Sequence, residues 1–166
     1  MLHCQPREAM ELHERALTIN PNLDIAIGLA GVTLTYLGEF DSADRHFTRY
    51  GAMTPSGLLG YYYDAGLALL EVLRKDNKSA LRFSRRATEL NPNYTTGLKH
   101  YLSALGHSGL ISDARVVLRR LLVAEPRFTI QDIISRSSFA RAIDLAHYTA
   151  GLRLAGVPDG RRPAAD

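Results

Sequence analysis

Residues 87–93 read ATELNPN, and residues 16–22 read ALTINPN. Each is the end of a helical pattern followed by a proline turn. The same spacing reveals two more degraded copies. Ala9, Ala43, Ala80 and Ala114 each stand twelve residues before a proline, at Pro21, Pro55, Pro92 and Pro126. The steps between copies are 34, 37 and 34 residues. A fixed period of that size is the signature of a repeat architecture.

Working outward, apolar residues recur at helical spacing on both sides of every proline turn. The pattern predicts helices over 7–19, 23–37, 40–50, 56–73, 79–89, 94–105, 111–125, 129–135 and 139–154. Pro6 suits a first helical turn, which needs no backbone donor. Asn22 is a candidate cap for the helix after it. Gly28 and Gly31 remove bulk where another helix can approach, and Gly38 and the run Gly106-His107-Ser108-Gly109 read as breaks between partner helices. Each unit is then helix A, a break, helix B and a proline turn. In helix B a small residue is followed by larger apolar ones four and seven positions later, as in Ala43, Phe47 and Tyr50 or Ala114, Leu118 and Leu121. Those offsets share one helical face. In the third unit Ala80, Phe83, Ala87 and Leu90 are expected inward, with Ser84 at the large apolar position. No strand pattern survives, so the class is all-α.

These residues resemble the tetratricopeptide repeat, a helix–turn–helix unit of 34 residues. In the second unit the matching positions are Ile27, Ala30, Gly31, Leu34, Gly38, Phe40, Ala43, Phe47, Tyr50 and Pro55. In the fourth they are Leu98, Tyr101, Leu105, Gly109, Ile111, Ala114, Leu118, Leu121 and Pro126. The third unit departs from the pattern: three extra residues precede Ala80, and Lys75 replaces the breaking glycine. The first unit keeps only its helix B. The resemblance implies a helical-hairpin solenoid of about three and a half repeats, near 7–22, 24–57, 58–94 and 95–128, with a C-terminal cap at 129–158. Residues 1–158 form one domain in this reading, and 159–166 are expected to be a disordered tail.

The closing segment is similar to the end of repeat regions in bacterial class III adenylate/guanylate cyclases and winged-helix regulators. The matching pieces are Pro126, Phe128-Thr129-Ile130 and the run GLRLAGVP at 151–158. A solenoid needs its last apolar face covered, which is the expected work of this segment. Two stripes of its long helix are candidates for that contact, one with Phe139, Ile143, Ala146 and Ala150, the other with Leu145, Tyr148 and Leu152.

Composition narrows the function. The chain has 166 residues and a net charge of only +3, with acidic residues interspersed among the basic ones. A nucleic-acid footprint would cluster its cations. Arg115, Arg119 and Arg120 share one helix and read as a solvated face, so no nucleic-acid partner is expected. The single cysteine, Cys4, excludes an internal disulfide. No secretory leader is legible at 1–10. The most apolar segment, 23–37, is shorter than the ~20 residues a membrane span needs. A cytoplasmic protein with no membrane partner is therefore expected. No phosphate loop, nucleophile elbow or zinc-ligand spacing occurs, so no enzyme activity, cofactor or metal is expected. His100 and His107 read as satisfied or solvated, and Asp64 as an exposed groove position.

What remains is a binding module. Stacked hairpins leave a concave surface lined by the A helices, and such surfaces hold peptides or partner helices. The repeat register places Ile25, Val32, Thr35 and Tyr36 there from the second unit. The third supplies Tyr62, Ala65, Leu69 and Val72, and the fourth Thr96, Lys99, Ser103 and His107. The mixture lacks the Lys/Asn/Arg set that clamps a peptide's terminal carboxylate in some members of the family. The expected role is a scaffold or adaptor that binds a protein or peptide partner. The alternative is the regulatory C-terminal region of a cyclase-type or transcription-regulator signalling protein. The incomplete first unit is expected to show an apolar face with Leu12 and Leu17, covered by self-association or by residues outside this sequence.

Overall fold

A computed structural model describes residues 5–54 and 59–160. Among these, every regular element is helical: α1 (Pro6–Ile19), α2 (Asp24–Leu37), α3 (Phe40–Met53), α4 (Gly60–Arg74), α5 (Asn77–Leu90), α6 (Thr95–His107), α7 (Ile111–Ala124), α8 (Ile130–Ser135) and α9 (Ala142–Leu154). Helices α2 and α3, α4 and α5, and α6 and α7 pack as consecutive pairs. Their first members also touch in series, α2 on α4 and α4 on α6, so these three form one layer. Pro55 and the expected first turn of the fourth helix, with Cys4 and the tail beyond 160, lie outside the described residues.

Small residues set how closely the helices meet. Ala43, Ala80 and Ala114, the repeat markers of the B helices, are fully buried. Phe47 wedges against Gly31 of α2 and Gly66 of α4, where any Cβ would crowd its ring. A Cβ on Gly28 would overlap the Tyr63 ring, which packs against Tyr50 at 3.6 Å between centroids. In α5 the inward positions are Ala80, Ser84, Ala87 and Thr88. Phe83 is only half-buried and Leu90 is exposed, contrary to expectation. With Ser84 on the seam, the larger side chains of that helix are turned outward.

The two NPN turns are built alike. Asn20 Oδ1 accepts the Asn22 amide at 3.0 Å, and Asn91 Oδ1 accepts the Asn93 amide at 3.2 Å. Such side-chain-closed turns are a property of asparagine. The first asparagine of each turn makes the bond, and Asn22 does not cap α2, whose N-cap residue is Leu23. Arg49 donates to the Pro21 carbonyl, and Arg120 donates to the Pro92 carbonyl at 3.1 Å. Each arginine is 28 residues beyond its proline, so one arginine of a later B helix braces the turn of the unit before.

The irregular third unit absorbs its three extra residues in two places. The α3–α4 connection is two residues longer than the α1–α2 and α5–α6 connections, and α4 is one residue longer than α2. At its break Lys75 takes φ +66°, the left-handed conformation that Gly38 and Gly109 adopt at the other two breaks. A side chain there is strained by about 1–2 kcal/mol. Lys75→Gly is therefore expected to raise stability by about 1 kcal/mol after the flexibility of glycine is counted. A urea-unfolding midpoint that stays put or falls would refute this.

Helix α1 buries no residue completely. Leu17 packs against the α2–α3 core, while Leu12 (57% exposed) and Ile19 (87%) face outward. The open apolar face therefore carries Ile19 in place of Leu17.

Candidate functional site

Residues 139–155 decide what the A-helix layer can offer. Helix α9 starts at Ala142, three residues later than the sequence pattern suggests. Arg141 is extended, and the Ala140 amide donates to the Tyr36 carbonyl at the end of α2 at 2.9 Å. That bond, with the Arg141 guanidinium on the Gly38 carbonyl at 3.3 Å, ties the start of the segment to α2. The helix then crosses the C-terminal halves of α4 and α6. His147 Nε2 donates to the Val72 carbonyl at 3.0 Å, Ser103 Oγ donates to the Tyr148 carbonyl at 2.9 Å, and His107 Nε2 donates to the His147 carbonyl at 3.0 Å. Near its end α9 meets α6 backbone to backbone, and a Cβ on Gly106 would overlap the Gly151 carbonyl. Gly106 is therefore a crossing point inside α6, and the break falls at Gly109.

The long helix of the closing segment thus packs chiefly on α6. Its second stripe is the packed one, with Tyr148 and Leu152 buried and Ile143 70% exposed. Helix α9 lies on the free side of the A layer, while Ile130, Ala155 and Val157 of the closing segment share one buried core with Val117 and Leu121 of α7. The segment's two sequence pieces meet in space. The Ile130 amide donates to the Pro158 carbonyl at 2.9 Å and the Gln131 amide to the Asp159 carbonyl at 3.1 Å. Asp159 also accepts from Arg153 at 2.6 Å, so the chain is held through Asp159, where a disordered tail was expected.

The twelve expected groove residues divide accordingly. Thr35, Ala65, Leu69, Val72 and Ser103 are buried among helices and are not open to a partner in this conformation. Ile25, Val32, Tyr36, Tyr62, Thr96, Lys99 and His107 remain at least partly accessible. His107 stacks on His147 at 4.1 Å, and burial, then the His107 charge, lowers the His147 pKa. Tyr36, Thr96 and Lys99 line a cavity of about 600 Å³ beside α9. The cavity is walled by the first turns of α6, the α7–α8 turn, α8 and residues 137–139. Tyr62 is part of an adjoining aromatic cluster in which Tyr94 meets Tyr61 at 5.1 Å and Tyr62 at 6.1 Å between ring centroids.

Two buried residues floor this cavity. His100 Nδ1 and the Tyr148 hydroxyl are 2.8 Å apart, and burial, then the Lys99 charge, pushes the His100 pKa down to about 3. The imidazole is therefore neutral at ordinary pH. Lys99 Nζ donates to Glu125 at 2.8 Å and lies 4.7 Å from the centre of the Phe128 ring. Burial would raise the Glu125 carboxyl, but the Lys99 and Thr95 hydrogen bonds hold it below its ordinary value. Asp132 accepts both the Thr129 amide and hydroxyl at 2.8 Å, capping α8, and those bonds lower its pKa. His100, Tyr148, Phe128 and Tyr94 were not singled out as site residues by the repeat register. Only the register of α9 on α6 brings the first two together.

Asp64 is not an exposed groove residue. It is 2% exposed and accepts from Arg86 Nε at 2.7 Å. Burial raises its pKa, and Arg86 opposes the rise. Among the described residues no cluster of three or more His, Cys, Asp or Glu could hold a metal, and no helix is long and apolar enough to cross a membrane. The accessible part of the A layer is an aromatic, hydroxyl-bearing surface around a charged cavity. No family model matches the chain, and no characterised protein matches its sequence.

Proposed function

We propose that this chain is a non-catalytic interaction module of the tetratricopeptide type, which binds a peptide segment of a partner protein. The observation that supports this reading is the strip that α9 leaves uncovered: Tyr36, Tyr62, Tyr94, Thr96 and Lys99, continuous from the A layer into the cavity. Rings with a polar tip carry much of the energy of protein interfaces, because they bury large area and still hydrogen-bond. The register of α9 supplies an internal precedent, since the same layer already holds one helix by backbone and side-chain bonds. A peptide library panned against the immobilised chain tests the reading. It is expected to enrich sequences whose binding drops about tenfold or more in Tyr62→Ala, a typical loss for a central aromatic contact. Enriched sequences that bind the variant equally well would sink the assignment of this strip.

A second reading has one observation in its favour. The pieces that carry the likeness to cyclase-type and winged-helix regulators, 128–130 and 151–158, are hydrogen-bonded to each other and form one closing element. In that reading the module is the regulatory region of a signalling protein. Its check is the coding sequence upstream of Met1: an in-frame cyclase or winged-helix domain supports it, and an in-frame stop counts against it.

A further inference from the structure

The geometry points to a binding site for a small aromatic carboxylic acid in the cavity between α6, α8 and residues 136–139. This goes beyond the partner reading and does not depend on it, because the site is complete within one chain.

Three features carry it. The volume, about 600 Å³, is that of small-molecule pockets, which run from roughly 300 to 1,000 Å³. The apolar walls come from the rings of Phe128, Phe139 and Tyr36, with the aliphatic Ile133. The polar groups are unequally committed. Glu125 is taken by Lys99 and Asp132 by Thr129. Arg127 and Arg136 also line the cavity, and neither has a hydrogen-bond or ion-pair partner among the described residues. Lys99, Arg127 and Arg136 against Glu125 and Asp132 leave the lining with one net positive charge, and the guanidinium groups are free of hydrogen bonds among the described residues. A guanidinium fork matches a carboxylate in shape and charge.

The floor adds a donor. His100 and Tyr148 share one hydrogen bond, and a neutral pair has two polar protons. Whichever proton makes that bond, the other N–H or O–H is left over. An acid with its ring between Phe128 and Phe139 and its carboxylate toward the arginines fits this division of the lining. Arg127 ends the last repeat and Arg136 lies in the closing segment, and neither is among the expected groove residues.

Titration calorimetry and amide NMR on the whole chain test this with 2-naphthoate, its neutral isostere 2-naphthamide, and acetate as the headgroup alone. Saturable binding of 2-naphthoate is expected, with shifts at the Thr96, Phe128 and Ile133 amides. The amide is expected to bind at least tenfold more weakly, and acetate not measurably. The double substitution Arg127→Gln with Arg136→Gln is expected to weaken 2-naphthoate at least tenfold with an unchanged circular dichroism spectrum. Ser138→Phe, which fills the mouth, is expected to abolish binding by a different route. No saturable binding, equal binding of the amide, or shifts away from the cavity would overturn the inference. A tripeptide ending in a free phenylalanine carboxylate runs alongside. Tighter binding of that peptide than of 2-naphthoate overturns the free-acid assignment in favour of a chain end. Failure of every acid leaves the Tyr62 test of the partner reading intact, so the two ideas fail separately.

Discussion

Gly106→Ala is expected to cost about 3 kcal/mol, at the upper end of what overpacking a well-filled core does. Alanine is normally the better helix residue by about 1 kcal/mol, so propensity predicts the opposite sign. The crossing of α6 and α9 decides against propensity. A Cβ on Gly106 would overlap the carbonyl oxygen of Gly151, and a Cβ on Gly151 would press on the Ser103 carbonyl and hydroxyl. Backbone atoms on both sides cannot swing away as a flexible side chain can. Relief requires α9 to lift, which would also loosen the buried Tyr148 and Leu152. For a chain of this length the loss corresponds to a fall in Tm of roughly 10 °C. Gly51→Ala is the internal control. It is also helical, and nothing lies within 4 Å of its would-be Cβ, so it should be neutral or stabilising. Thermal unfolding of both variants checks this. Equal effects at the two glycines would refute the close crossing.

The helices themselves were legible in the sequence, because each layer of the pattern is local. Proline turns, buried alanines and apolar spacing all act within one hairpin, and the observed boundaries differ from the expected ones by three residues or fewer where both ends are described. What the spacing could not reveal is where α9 lands. Its two stripes lie on nearly opposite faces of the helix, and both are apolar enough to pack. The choice is made by long-range fit: Gly151 on Gly106, Ser103 on the Tyr148 carbonyl, His147 on the Val72 carbonyl. None of these has a period. The same fit explains why Ser103 and Val72, exposed in a bare stack of hairpins, are buried here.

Asp64 shows the complementary limit. A carboxylate in an apolar helix reads as exposed because burial without a partner is costly. Its partner Arg86 is 22 residues away on α5, at a spacing no motif marks. The cavity was hidden for a related reason. Lys99 and Thr96 lie among the expected groove positions, but Arg127 sits in the turn that ends the last repeat, Arg136 comes after it, and His100 becomes a floor residue only when Tyr148 covers it.

That last contact carries a prediction about acid. The folded His100 has a pKa near 3, whereas an unfolded histidine titrates near 6.5. Between those values the unfolded chain binds the extra proton and the folded chain does not. The stability linked to His100 is therefore fully present above about pH 6.5 and lost as pH falls toward 3. Integrated from pH 7 to pH 4, the loss is on the order of 3 kcal/mol. His13 and His147 are also lowered, each first by burial, and act in the same direction. Asp64 and Glu71, raised chiefly by burial, act in the opposite one. A single acid titration therefore mixes signs, and the His100 share is isolated by comparison with His100→Gln, whose amide can still bond the Tyr148 hydroxyl but takes no proton. Urea unfolding of both proteins at pH 7, 6, 5 and 4 is expected to show the variant weaker at pH 7 and gaining steadily on the wild type below pH 6. Parallel curves would mean that His100 is not held neutral by its burial under α9. Hydrogen exchange at pH 4 locates the effect: the proton, forced onto a ring beside Lys99 and beneath Tyr148, should loosen α9 from α6 while the amides of the α2–α3 pair keep their protection.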